Sequence, residues 1–284
     1  MKIAITGATG QLGQLVIQHL LKQTQAENIV ALVRNVEKAE YLKAKGIDVR
    51  HFDYDSPATL VPALQGIDKI LLISANEVGR RTPQHKAVID AAIEAKVPYI
   101  AYTSLLRADT SPLGLAQEHR ETEQLIRESG LSYTFLRNNW YSENYLAGLA
   151  HNIETGILYG AAQDSLISAA PRTDYAEAAA NVLLSENHKN KTYELASSTA
   201  FTLETLAKTI SKVSNKTVAY SNLSAEDYKQ GLLQAGLPEG LVNVIVEADI
   251  EAQNGAMLSD SKDLETLLNR PTTSLEKTIK SLLV

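Results

Sequence analysis

Ile3-Ala4-Ile5-Thr6-Gly7-Ala8-Thr9-Gly10-Gln11-Leu12-Gly13 is the stretch that decides the fold. Residues 3–6 are a short β-branched run and predict a strand. Residues 12–23 carry Leu12, Leu15, Val16, His19 and Leu20 at helical spacing and predict a helix. Between the two stands G-x-x-G-x-x-G, one residue different from the G-x-G-x-x-G of dehydrogenases. A tight strand-to-helix turn needs Gly7. Gly10 lets a pyrophosphate approach the backbone, and Gly13 lets the helix pack closely on the strand. The helix N-terminus adds unpaired N–H groups and a dipole that favours an anion. Gly7, Ala8, Thr9, Gly10, Gln11, Leu12 and Gly13 therefore form a candidate phosphate cradle. The plainer alternative is a turn that only needs small residues; its position between strand and helix favours the cradle.

Outward from this loop, strand and helix patterns alternate. Residues 29–33, 47–52, 67–74, 99–104 and 133–137 predict strands, and 67–74 is apolar on both faces, as a central parallel strand is. Residues 36–45, 83–95 and 118–129 predict helices, with a short one after Ser56-Pro57. The β-α rhythm predicts an α/β protein with a Rossmann doubly wound parallel sheet. Beyond Arg137 the pattern loosens. An alanine-rich helix is expected over 174–184 and a strand over 192–195. Helices are expected over 203–213, 225–235, 240–252 and 273–283, each behind a Ser, Thr or Pro start signal. The organisation read from this is a nucleotide-binding Rossmann domain over residues 1–200. A small, mainly helical C-terminal domain follows over 201–284, and part of 139–170 contributes to the substrate cleft.

Composition removes several function classes. The 284 residues include no cysteine, which excludes disulfides, thiolate zinc sites, cysteine-ligated clusters and a cysteine nucleophile. With 27 Lys+Arg against 33 Asp+Glu the formal charge is -6, which argues against a nucleic-acid or anionic-lipid partner. No window of about 18 residues is free of charge or turn formers, so no membrane insertion is expected. The N-terminus lacks the continuous apolar stretch of a signal peptide, and a cytoplasmic protein is the default. The six histidines are scattered without H-E-x-x-H spacing, so no metal site is expected. No G-x-S-x-G elbow occurs. Arg80-Arg81 and the lysines at 189 and 191 read as solvated loops.

Cofactor choice is read at the end of the second strand, in Val33-Arg34-Asn35. An acid there would accept from a ribose 2′-OH. Arg34 instead can donate a fork of hydrogen bonds to a 2′-phosphate, which favours NADPH; the alternative is an exposed surface arginine. Asp53, after strand three, stands either near an adenine amino group or as a cap on the next helix. Ser74, Ala75 and Asn76 end strand four, where small residues let backbone pass beneath a ribose at the sheet's switch point; a simple turn is the alternative.

Reductases of this sheet type usually carry Tyr-x-x-x-Lys as proton donor. The one match, Tyr41 with Lys45, lies on the second helix, remote from the expected crevice. His119 stands where a lysine might project and can donate a proton, though surface histidines are common. No catalytic residue is assigned. The absence fits quinones better than isolated ketones: a ketone's developing alkoxide benefits from a positioned acid, whereas a hydroquinone anion is delocalised and weakly basic. It fits equally a protein that binds NADPH and catalyses nothing.

Several stretches together resemble the NmrA-like group of atypical short-chain dehydrogenase/reductases. Within that group they are most similar to the bacterial zinc-independent type-2 NAD(P)H:quinone oxidoreductases. The carriers are the glycine loop, Leu32-Val33-Arg34-Asn35, Leu72-Ile73-Ser74-Ala75-Asn76-Glu77-Val78-Gly79, the stretch over 101–118, and Leu136-Arg137-Asn138-Asn139-Trp140-Tyr141-Ser142-Glu143-Asn144-Tyr145. The resemblance implies NADPH without flavin or metal, and quinone reduction by direct hydride transfer. It places cofactor contacts at Gly7 to Gly13, Arg34, Ser74, Ala75 and Asn76. It places further ones at Asn138, Asn139, Trp140, Tyr141, Ser142, Glu143 and Ala169, many through backbone. Read independently, Trp140 or Tyr141 could stack on a flat ring or belong to the interlobe core. A small quinone is the expected partner and a homodimer the candidate assembly. The competing function is an NADP(H)-binding redox sensor with little or no catalysis.

Overall fold

The computed structural model describes residues 1–283. Nine strands occur among them: β1 (Ile3–Ile5), β2 (Ile29–Val33), β3 (Asp48–His51), β4 (Lys69–Leu72), β5 (Tyr99–Leu105), β6 (Ser132–Asn138), β7 (Ile157–Gly160), β8 (Lys191–Leu195) and β9 (Ala219–Asn222). Seven form one sheet in the order β3-β2-β1-β4-β5-β6-β8. Every pair in it is parallel, with Ile3 opposite Ile29 on one side and Lys69 on the other. The chain thus winds outward from β1 in one direction, then returns to lay β4 on β1's other edge. That reversal makes the switch point of a doubly wound fold, as the alternation of patterns predicts.

The sheet forms where apolar runs are long enough to be covered on both faces. Every residue of β2 and β5 is buried. One core layer joins Val30, Leu32, Ile70, Leu72, Ile100 and Phe135 from the strands to Leu60, Leu64, Val88, Ile89 and Ile126 from the helices. On the glycine-loop side, helix Gln11–Leu21 packs against helix Arg172–Leu184. Their ends are joined where His19 Nε2 meets Thr173 Oγ1 at 3.1 Å.

Two compact units share the chain. The first takes Met1–Asp109, Ala116–Asn138 and Arg172–Leu195, hence the whole seven-stranded sheet. The second takes Thr110–Leu115, Asn139–Pro171 and the chain from Ala196 on. The sequence reading draws a single boundary near residue 200. The units interleave instead, because the chain leaves the sheet after β6 and comes back to add helix Arg172–Leu184 and β8. The second unit is mainly helical, with helices Leu203–Ser214, Ala225–Gln234, Glu239–Gln253 and Leu275–Leu282. Thr202, Ser224 and Ser274 cap three of these by accepting a backbone N–H of the first turn. It also holds a two-stranded parallel sheet of β7 and β9, which the sequence pattern does not reveal. The stretch 36–45, expected as one helix, is a 3₁₀ turn Glu37–Ala39 followed by the single helical turn Glu40–Lys43. Only Ala39 and Leu42 are buried there, too few to anchor a longer helix. Ser56, expected to cap, accepts no bond through its side chain; Pro57 opens a 3₁₀ turn instead.

Candidate functional site

A groove of about 860 Å³ opens at the C-terminal ends of β1, β2, β3 and β4, wholly within the first unit. From the β1 turn it is lined by Gly7, Thr9, Gly10, Gln11, Leu12 and Gly13, and from β2 by Leu32, Val33, Arg34, Asn35 and Lys38. Phe52 to Asp55 line it after β3, and Ile73 to Glu77 after β4, with Gln84 and Arg172 from two helices.

The glycine turn is built as its spacing requires. Gly7 takes a left-handed φ of 57°, and the Gly10 N–H donates to its carbonyl at 2.8 Å. At Gly13 a Cβ would stand 2.9 Å from Ala8 Cα and nearer still to the Gly7 carbonyl oxygen, so only glycine lets the helix approach the turn. Gly10 is the N-cap of helix Gln11–Leu21. It caps with no side chain, and the first helical turn holds no acidic residue. The positive end of the helix dipole and its first-turn amides therefore meet the groove without a protein anion to answer them. A phosphate fits that position. Ala8 is fully buried and does not line the groove.

On the β2 side, Arg34 is 73% exposed, with Nη1 3.7 Å from Glu77 Oε1. Lys38 lines the same wall, its amide donating to Asn35 Oδ1 at 3.0 Å. Two cations thus stand on one wall of the groove, and Glu37, the one carboxylate between them in the chain, does not line it. Asp53 lines the groove, and its Oδ1 accepts from the Asp55 amide at 3.1 Å; it does not cap the 3₁₀ turn Pro57–Thr59 that follows, whose N-cap is Ser56.

The turn after β4 is held almost entirely by side chains. The Ile73 amide donates to Thr6 Oγ1 and the Ser74 amide to Thr103 Oγ1, both at 2.9 Å. The Ala75 amide donates to His85 Nε2 at 2.9 Å, and Arg81 Nε donates to the Ala75 carbonyl. Gln84, 5% exposed, reaches Glu77 Oε2 with its amide nitrogen at 3.3 Å; its Oε1 is buried without a partner, beside the groove. An orphaned acceptor here fits a donor on a bound ligand. Arg81, expected in a solvated loop, is instead the first residue of helix Arg81–Glu94 and is turned onto the Ala75 peptide.

The remaining expected contacts lie outside this groove. Asn138 ends β6 in the first unit; its carbonyl accepts from the Leu106 amide at 3.0 Å, and its Oδ1 is buried without a partner. Asn139, Trp140, Tyr141, Ser142, Glu143 and Ala169 belong to the second unit. There Tyr141 pairs with Ala170 and the Ser142 amide donates to the Ala170 carbonyl at 3.0 Å, so the two stretches run together. The Asn139 side chain is buried and donates to the carbonyls of Ser168 and Met257 at 3.0 and 2.9 Å. The amide hydrogens of its side chain are thereby used, leaving its Oδ1 and its backbone for a ligand.

His119 is buried, with Nδ1 2.8 Å from the Tyr102 hydroxyl, and it does not line the groove. Burial, and then the charge of Arg81, hold its pKa well below the usual histidine range. It is a neutral buried partner of Tyr102 rather than a solvent-fed proton donor. Tyr41 is exposed and outside the groove. Sequence reasoning misses Lys38, Arg81, Gln84, His85 and Arg172. A basic residue four positions after Arg34 was the one local signal available; the others meet the site only through tertiary packing.

The pattern of the NmrA-like family matches residues 1–276. This chain belongs to the NmrA-like family. It is 52% identical to quinone oxidoreductase 2 of Escherichia coli (strain K12), over 99% of this chain and 98% of that protein. A crystal structure of the NADPH-dependent quinone oxidoreductase of Escherichia coli complexed with NADPH superposes with a TM-score of 0.96, covering 99% of this chain and 100% of that one. The triphenylmethane reductase of Citrobacter sp. is 40% identical with a TM-score of 0.96, covering 100% and 99% of the two chains. The NAD(P)H azoreductase of Xenophilus azovorans is 28% identical over 86% of this chain and 85% of its own. Among the described residues, no group of His, Asp and Glu is arranged to hold a metal ion. No helix among them is long and apolar enough to cross a membrane.

Proposed function

We propose that this protein is an NADPH-dependent quinone oxidoreductase, with NADPH in the β1–β4 groove and a small quinone as hydride acceptor. The observation that carries the reading is one groove holding an uncapped glycine-turn helix N-terminus together with Arg34 and Lys38. Similarity to quinone oxidoreductase 2 along nearly the whole chain supports the choice of substrate.

NADPH, when bound, supplies a hydride, and a quinone needs that hydride and one proton to become a hydroquinone. The chain's own residues bind and orient. The amides of Gln11, Leu12 and Gly13 and the helix dipole answer a pyrophosphate. Arg34 and Lys38 answer a 2′-phosphate, Arg34 by a fork of hydrogen bonds. Ser74, Ala75 and Asn76, on a turn that side chains hold still, border the nicotinamide half. Asn138, with a free buried acceptor, and Asn139 through its backbone are further proposed contacts. Trp140, Tyr141, Ser142, Glu143 and Ala169 complete the proposed set. No side chain is assigned as proton donor; a hydroquinone anion is a weak enough base to take its proton from water. Binding and orientation, rather than an acid, then carry the rate. The Rossmann domain is the proposed cofactor domain, the helical C-terminal region the substrate side, and the cytoplasm the proposed setting.

The test mixes purified protein with NADPH and follows the reduced nicotinamide by absorbance, with and without benzoquinones and naphthoquinones. Consumption only when quinone is present is the expected result. Binding of NADPH with no consumption by any quinone would leave the sensor reading standing in its place.

A further inference from the structure

The Ala75 peptide is gripped from both sides by one helix. His85 Nε2 accepts its N–H at 2.9 Å, and Arg81 Nε donates to its carbonyl. His85 is fully buried. Its other ring nitrogen, Nδ1, is 2.9 Å from Thr122 Oγ1. The Thr122 hydroxyl donates its own proton to the Glu118 carbonyl at 2.8 Å, so it can only accept from the imidazole. Nδ1 therefore carries the proton and Nε2 is left as the acceptor: Thr122 selects the tautomer that the Ala75 amide requires. Burial, and then the nearby charge of Arg81, pull the imidazole's pKa down to about 3, so the ring stays neutral and keeps its lone pair. The helix that carries His85 is itself anchored, since the Glu118 carboxylate accepts the Gly79 amide at 3.1 Å and the Arg81 amide at 2.9 Å.

With the N–H groups of Ile73, Ser74 and Ala75 all taken by Thr6, Thr103 and His85, the turn cannot rotate its peptides. The carbonyls of Ile73 and Ser74, both groove-lining residues, accept no bond among the described residues. They are left as acceptors on residues that line the groove of the proposed cofactor. A histidine that only filled core space would need no tautomer selection, and a leucine in its place would fill the same space but leave the Ala75 amide without an acceptor.

We infer that His85 is a cofactor-positioning residue, whose neutral Nε2, set by Thr122, fixes the Ala75 N–H and with it the Ser74 carbonyl of the same peptide unit, an acceptor for the bound nicotinamide nucleotide. This rests on the reading that the groove holds NADPH. His85 does not touch the reacting atoms in this scheme; it acts through the turn.

The experiment compares the NADPH dissociation constant, from nicotinamide fluorescence, with KM, kcat and melting temperature for four proteins. These are the parent, His85→Phe, Thr122→Val and Val88→Ala. Val88 is fully buried one turn along the same helix and away from the groove. His85→Phe is expected to weaken NADPH binding about ten- to fiftyfold, with kcat at saturation within about threefold. Thr122→Val leaves the imidazole in place but frees its tautomer, and is expected to weaken binding about three- to tenfold. Should His85→Phe not fold, Thr122→Val decides alone. Val88→Ala is expected to lower the melting temperature without moving the dissociation constant. Binding unchanged within twofold in both His85→Phe and Thr122→Val overturns the inference, as does an equal loss in Val88→Ala. If the parent itself fails to bind NADPH, the functional reading falls first and this inference with it.

Discussion

Arg137 and Glu123 meet edge to edge inside the first unit. Nε lies 2.8 Å from Oε1 and Nη2 lies 2.8 Å from Oε2, with both side chains almost wholly buried. Glu123 Oε1 also accepts from Ser104 Oγ at 2.7 Å, and Arg137 Nη1 reaches Glu194 at 2.7 Å and Asp109 at 3.1 Å. The pair thus joins Ser104, Arg137 and Glu194, the next-to-last residues of β5, β6 and β8, to helix Ala116–Glu128, one residue before Asn138. Removing one partner of a buried pair strands the other charge, at a cost of about 3–5 kcal/mol. Glu123→Ala is expected to lose stability of that order in chemical denaturation. Arg137→Met combined with Glu123→Leu is expected to lose much less than the two single changes summed.

The two inner glycines of the loop separate folding from binding. At Gly13 an added Cβ collides with backbone, and Gly13→Ala is expected to destabilise by about 1–3 kcal/mol as well as weaken NADPH binding. At Gly10 the nearest atom to an added Cβ is the Gly7 carbonyl oxygen, at 3.1 Å, and φ is an ordinary -77°. Gly10→Ala is expected to unfold nearly as the parent does, yet to bind NADPH markedly more weakly, since its methyl occupies the approach of the phosphate. Denaturation and cofactor titration on the same two samples check both.

Arg34→Glu tests cofactor choice. The side chain is mostly solvated and its contact with Glu77 is long, so stability is expected to stay within about 0.5 kcal/mol. A charge-assisted bond to a 2′-phosphate is worth about 1.5–3 kcal/mol. The ratio of kcat/KM for NADPH over NADH is therefore expected to fall about ten- to hundredfold. A ratio unchanged by the substitution would remove Arg34 from the site.

Asp249 supplies a pH dependence. In the second unit its Oδ2 accepts the Ala161 amide at 2.8 Å, while Oδ1 is buried without a partner. Burial, and then the nearby Asp249 charge, raises the phenols of Tyr145, Tyr220 and Tyr228. Burial pushes the Asp249 carboxyl up to about 6 from its usual 3.8, against the Ala161 hydrogen bond and the nearby Tyr145 hydroxyl. The folded state therefore holds this proton more tightly than the unfolded chain. Its contribution to stability is present below pH 3.8 and is lost as pH rises to about 6, roughly 3 kcal/mol in all. Asp249→Asn keeps an acceptor for Ala161 and removes the charge. It is expected to stabilise the protein at pH 8 and to do little at pH 4, which denaturation at the two values measures.

What was legible in the sequence was whatever is local. β2 could be bounded at Ile29 and Val33 because five consecutive apolar residues are all buried. The glycine turn and Arg34 could be read because strand, turn and helix are contiguous. The grip of His85 on Ala75 could not be, since it depends on a helix folding back and on Thr122 across the packing. Nor could β9, whose Ala-Tyr-Ser-Asn sequence carries no apolar alternation and which finds its partner β7 only in space. Asn139 shows the same limit in reverse. The resemblance places it among the cofactor contacts, and its side-chain amide hydrogens go to two carbonyls from residues far along the chain.

The interleaving of the two units has a consequence for synthesis on the ribosome. When Asn138 emerges, six strands of the sheet exist, and the outer side of β6 is a row of unanswered amides and carbonyls. The strand that covers it, Lys191–Leu195, is more than fifty residues away, beyond a stretch that belongs elsewhere. Until it arrives, the nascent chain presents an open edge able to pair with a neighbour. A nascent chain halted within that interval should therefore aggregate readily and depend on chaperones, whereas one released after Leu195 has its long β6 edge covered by β8.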